Sequence, residues 1–85
     1  MKEVEFSPTA YSQLQEWIKT DRKIYERIDI LLQATQGNPF TGIGKPELLK
    51  YEMKCYWSRR ITKEHRLVYK VTTGSIIVIS CKYHY

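Results

Sequence analysis

The spacing of apolar residues changes twice along this chain, and each change marks an element. In Lys2 to Phe6, Val4 and Phe6 alternate with Glu3 and Glu5, the two-residue period of a short strand. Ser7-Pro8 follows, a serine suited to cap a helix and a proline suited to its first turn. Ala10, Leu14, Trp17 and Ile18 then fall on one helical stripe, which places Trp17 in the core. Thr20-Asp21 breaks this helix and caps the next, in which Ile24, Ile28, Leu31, Leu32 and Thr35 repeat the spacing until Gly37 and Asn38-Pro39 end it. Beyond a loop rich in glycine and proline, the period returns to two. Glu47 to Lys50 predicts a short strand, Tyr51 to Lys54 a turn, and Tyr56–Thr62, His65–Thr72 and Ser75–Tyr83 three longer strands. Glu64-His65 falls in a polar turn between the first two of these, and Thr73-Gly74 turns the chain between the last two. Residues 1–85 therefore predict a single α+β domain with a short N-terminal strand and two antiparallel helices packed on a mainly antiparallel sheet.

Alternation also assigns faces. Trp57, Arg59 and Ile61 share one side of their strand, and Ser58, Arg60 and Thr62 the other. Leu67, Tyr69 and Val71 oppose Arg66, Val68 and Lys70 in the next strand. With the helices on one face, the other is expected to stay open and carry arginines.

Charge sharpens this picture. The net charge of +5 is unevenly spread: residues 1–43 sum to −1 and residues 44–85 to +6. A basic half that also forms the sheet points to a polyanionic partner, nucleic acid first. No apolar run approaches the ~20 residues of a membrane helix, and the first residues lack the apolar core of a signal peptide. A cytoplasmic protein is the expectation. Cys55 and Cys81 stand apart with no metal-ligand spacing, so they read as inert thiols, and no metal or cofactor is expected. The Gly37–Pro46 loop lacks the spacing of a phosphate-binding P-loop.

The groups able to do chemistry are Glu47, Lys50, Arg59, Arg60, His65, Arg66, His84 and Tyr85. A carboxylate and an imidazole can serve as base and acid near neutrality. Cations can hold a phosphate and stabilise charge growing on it. Those are the parts needed to cleave RNA without a metal. From the residues alone, the reading extends to a basic α+β domain that binds phosphate and could be such a ribonuclease.

Four segments carry a resemblance: Gly42-Ile43-Gly44-Lys45-Pro46-Glu47 with Leu49-Lys50, Tyr56-Trp57-Ser58-Arg59-Arg60-Ile61-Thr62, Glu64-His65-Arg66-Leu67-Val68-Tyr69, and Cys81-Lys82-Tyr83-His84-Tyr85. With them the chain resembles the YoeB toxins of the RelE/ParE toxin–antitoxin superfamily over essentially its whole length. The resemblance implies a RelE-like, microbial-ribonuclease-like fold. It also implies ribosome-dependent cleavage of messenger RNA at the A site, close to ribosomal RNA, and inhibition by a cognate YefM-type antitoxin. A homodimer is left open. By the same resemblance Glu47 is the general base, His84 the general acid, Arg66 the transition-state arginine and Tyr85 an orienting residue, while Lys50 and Arg59 contact RNA phosphate. The alternatives are a ParE-like DNA gyrase poison, which would not need the Glu47/Arg66/His84/Tyr85 set, and a non-catalytic RNA-binding module, which would tolerate loss of Glu47 and His84.

Overall fold

The computed structural model describes residues 2–49 and 55–83. In chain order the elements are β1 (Glu3–Phe6), α1 (Pro8–Thr20), α2 (Arg22–Gly37), β2 (Glu47–Leu48), β3 (Tyr56–Arg60), β4 (Arg66–Val71) and β5 (Ser75–Ser80). The five strands form one sheet in the order β1-β5-β4-β3-β2. All neighbours are antiparallel except β1 and β5, which run parallel with Val4 opposite Ile76 and Phe6 opposite Val78. A parallel pair needs a crossover, and the two helices lie in the long connection that provides it.

The caps follow from local chemistry. The Ser7 hydroxyl accepts the Ala10 N–H, and Pro8 occupies the first turn of α1. Asp21 serves both helices: its backbone N–H donates to the Trp17 carbonyl, ending α1, and its carboxylate accepts the Ile24 N–H, starting α2. The predicted stripes are the buried faces. Ala10, Trp17, Ile28 and Leu31 pack against Leu67, Tyr69, Ile76 and Val78 of the sheet, with Leu14, Ile24 and Leu32 at the margin.

The strands are shorter than alternation predicts, and for β3 and β5 the cause is visible. Strand β3 ends at Arg60 because the Ile61 and Thr62 N–H groups both turn to the His65 carbonyl, at 3.0 and 3.1 Å. Strand β5 ends at Ser80 because the Cys81 N–H is drawn off the sheet to the Gln13 side chain, at 2.7 Å. The Thr73-Gly74 turn is closed by Thr72 N–H to Ser75 carbonyl at 2.9 Å. The expected turn at Tyr51–Lys54 lies outside the described residues.

The two cysteines have opposite surroundings. Cys55 is exposed, whereas Cys81 is fully buried against Ala10 and burial pushes its thiol up to about 12. Only the thiolate reacts with an alkylating reagent. We therefore expect iodoacetamide to modify Cys55 in the native protein and to reach Cys81 only on unfolding, as peptide mass spectrometry would show. Equal labelling of both in the native state would contradict the packing of α1 on β5. Among the described residues no helix is long and apolar enough to cross a membrane.

Candidate active site

The open face of the sheet is built by register. Glu47 pairs with Ser58, Ser58 with Val68, and Arg60 with Arg66, so side chains from β2, β3 and β4 rise together from one side. Ser58 and Val68 are buried at its centre. The Arg66 guanidinium lies across Ser58, donating from Nη1 to its Oγ at 3.4 Å, and reaches to 3.8 Å from Oε1 of Glu47. The Glu47 side chain is 58% exposed and that of Arg66 25%, so a ligand can reach both. Two of the expected site residues, a potential base and a potential charge stabiliser, thus meet across three strands.

Arg60 stands directly opposite Arg66. Like charges facing each other across a strand pair repel, and an anion between them would relieve the repulsion. Arg60 also lines a cleft of ≈ 310 Å³ with Arg27, Lys45, Lys63, Gly44 and Thr62. Four cations from α2, the loop before β2, the end of β3 and the turn after it converge there, and none forms an ion pair among the described residues.

Arg59 corrects an expectation. It was assigned to RNA phosphate, yet it is fully buried on the helix-facing side of β3. Its guanidinium donates to the carbonyls of Asn38 (2.6 Å), Thr41 (2.9 Å) and Ile43 (2.9 Å), and its Nε to the Tyr69 hydroxyl (3.2 Å). Tyr69 in turn donates to the Pro39 carbonyl at 2.6 Å. Burial raises the Tyr69 pKa, with Arg59 pulling the other way. Having spent its donors on the loop, Arg59 has no geometry for contacting RNA. It shapes residues 38–44, the segment that delivers Lys45-Pro46-Glu47. Gly44 completes that turn: its φ is +80°, and a Cβ there would lie 2.8 Å from Leu31 Cδ2 and 3.3 Å from the Arg60 carbonyl. Only glycine fits.

His65, read as part of a polar turn, is likewise inside. It is 6% exposed, sits edge-on to Trp17 at 4.8 Å, and accepts the Tyr83 N–H at Nδ1. Trp57 is half-buried against Phe40, with ring centroids 4.9 Å apart, and belongs to the margin of the core. Lys50, His84 and Tyr85 lie outside the described residues. The segment that leads to His84 is well held, however. The Trp17 indole donates to the Cys81 carbonyl at 2.9 Å, Gln13 accepts the Cys81 N–H, and Lys82 pairs with Glu16, whose hydrogen bond raises the lysine pKa. Helical spacing had marked Trp17 as core. Its bond to the tail, 64 residues away, had no local signal.

A five-stranded sheet with two helices on one face and a carboxylate–arginine pair on the other defines a class, the RelE-like toxin fold, which is microbial-ribonuclease-like. Within it, this chain belongs to the YoeB-like toxins of bacterial type II toxin–antitoxin systems, whose family model matches residues 6–85. Toxin YoeB of Escherichia coli K12 is 51% identical over 69 residues, covering 81% of this chain and 82% of the relative. The YoeB dimer of Staphylococcus aureus superposes with a TM-score of 0.93 at 44% identity, covering 99% of this chain and 98% of that one. The toxin of the heterotetrameric YoeB–YefM complex from the same organism superposes with a TM-score of 0.91 at 43% identity, covering 100% and 99%.

Proposed function

We propose that this toxin is a ribosome-dependent endoribonuclease that cleaves messenger RNA at the A site by side-chain acid–base catalysis. The observation that carries the reading is the approach of Glu47 and Arg66 to 3.8 Å on an accessible face beside the basic cleft. Glu47 takes the proton of a ribose 2′-OH, and that oxygen attacks the adjacent phosphorus. The P–O5′ bond breaks as His84 returns a proton to the leaving oxygen, leaving a 2′,3′-cyclic phosphate and a 5′-hydroxyl. Arg66 stabilises the charge that builds on the phosphoryl oxygens. Tyr85 orients the RNA, Lys50 contacts its phosphates, and the cations around Arg60 meet messenger and ribosomal RNA. Work on the ribosome places the toxin in the cytoplasm.

The partners of the Staphylococcus aureus relatives extend the reading. A YefM-type antitoxin is proposed to hold this toxin inactive, and a second copy of the toxin to dimerise with it. A groove lined by Val4, Phe6, Leu14, Tyr25, Ile28 and Leu32, with Asp29, Gln33 and Gln36 beside them, suits an amphipathic helix of the antitoxin.

The test is primer extension on ribosomes programmed with a short messenger RNA, with DNA supercoiling by gyrase as a parallel assay. Cuts within the A-site codon are expected, with gyrase unaffected. Inhibition of gyrase without any cut would replace this reading by the ParE-like one. Ribosome binding without cutting or gyrase inhibition would leave a non-catalytic RNA-binding module.

A further inference from the structure

Tyr83 is held in an unusual way. Its φ is +59°, a left-handed conformation that a bulky residue adopts only under constraint. Both its backbone groups are bound by consecutive residues of the opposite segment. The Tyr83 N–H donates to His65 Nδ1 at 2.8 Å, and the Tyr83 carbonyl accepts the Arg66 N–H at 2.8 Å. The first of these bonds fixes the state of the imidazole. A backbone amide can only donate, so Nδ1 presents its lone pair and the ring proton sits on Nε2, which faces the Glu64 carboxylate at 3.7 Å. The ring is wedged between Trp17 and Tyr83, with centroids 4.8 and 5.4 Å away. His65 therefore ties the left-handed turn at Tyr83 to the N-terminal end of β4, where Arg66 emerges.

We propose that His65 is a positioning residue for the cleavage reaction. Its Nδ1 lone pair holds the Tyr83 turn, immediately before His84 in the chain, against the backbone that carries Arg66. The inference rests on the reading that Glu47, Arg66 and His84 carry the chemistry. It assigns no contact between His65 and RNA. What it requires is an acceptor at the Nδ1 position, and this separates it from a packing role. Phenylalanine keeps the ring and removes the acceptor. Asparagine discards most of the ring but carries its amide oxygen on Cγ, where histidine carries Nδ1. Packing alone ranks phenylalanine above asparagine, whereas positioning through the acceptor ranks them in reverse.

The experiment compares wild type, His65→Phe and His65→Asn in cleavage of messenger RNA on programmed ribosomes, with kcat and KM measured separately and folding checked by circular dichroism. Displacing a catalytic group by about 1 Å costs about 10²-fold in rate, so His65→Phe is expected to lose roughly that in kcat with KM little changed. His65→Asn is expected to recover most of the loss despite its lower thermal stability. Independently of activity, a through-hydrogen-bond ¹⁵N–¹⁵N coupling should join the Tyr83 amide to His65 Nδ1 in the wild type. Exchange of the Tyr83 amide should accelerate in His65→Phe and less so in His65→Asn. If His65→Phe does not fold, His65→Gln takes its place, since its amide reaches the Nε2 position and leaves Nδ1 empty. A wild type that cuts while the variant lacking the acceptor cuts equally well overturns the inference alone. So does an asparagine variant no better than the phenylalanine one. A wild type that does not cut overturns the proposed function, and the inference with it.

Discussion

Replacing Arg59 with alanine is expected to destabilise the domain by about 3–5 kcal/mol, from the loss of several hydrogen bonds to a charged group at roughly 1.5–3 kcal/mol each, partly offset by water. The side chain is wholly enclosed, and its loss would strand the carbonyls of Asn38, Thr41 and Ile43 together with the Tyr69 hydroxyl oxygen. A buried acceptor left unpaired costs on the order of 1–3 kcal/mol; the bond to Tyr69 is buried and those to the three carbonyls are part-buried, so water recovers part of that. Domains of this length have only about 4–13 kcal/mol in all, at roughly 0.05–0.15 kcal/mol per residue, so the variant should be marginal or unfolded at 37 °C. Lysine should rescue little, because one ammonium cannot span the three carbonyls and the tyrosine hydroxyl that a planar fork reaches from three nitrogens. Urea denaturation monitored by tryptophan fluorescence decides the matter. An unfolding free energy within about 0.5 kcal/mol of wild type, at equal slope, would mean that the guanidinium is not the anchor of the 38–44 loop.

The second large effect is on activity alone. Glu47→Gln should lower ribosome-dependent cleavage by about 10²–10⁴-fold, the range for loss of a general base, and leave the fold intact. Glu47 is mostly exposed, and its pair with Arg66 is long and screened by solvent, so the stability change should stay within about 1 kcal/mol. Single-turnover cleavage beside a thermal melt separates the two quantities, with His84→Ala as a parallel variant expected to fall by a similar factor. Wild-type cutting by Glu47→Gln would move the base elsewhere. A loss of activity accompanied by a collapsed melting transition would make Glu47 structural.

What the sequence made legible and what it hid divide along chain distance. The Ser7 and Asp21 caps, the apolar stripes of α1 and α2 and the opposed faces of β3 and β4 are set by neighbours within a few residues, and all were readable. Arg59 shows the limit. Alternation did place it on the face of Trp57 and Ile61, but its charge argued for solvent, and the carbonyls that satisfy it come from 16 to 21 residues upstream. His65 is similar: a histidine beside a glutamate in a turn looks polar until Tyr83 and Trp17 close over it. The meeting of Glu47 with Arg66 needed the register of two strand pairs, which pattern alone does not supply. The resemblance named these residues, and the register explains why they meet.

The parallel pairing of β1 with β5 has a consequence for the toxin's own synthesis. Glu3–Phe6 must wait for Ser75–Ser80 before it has a neighbour, and α1 must wait for Cys81 before Gln13 and Trp17 have theirs. The sheet cannot close while that late segment is still threaded through the ribosome that makes it. The segment made late in synthesis is therefore the one that completes both the sheet and the seat of α1, and the domain cannot mature until residues through Cys81 are free of the exit tunnel.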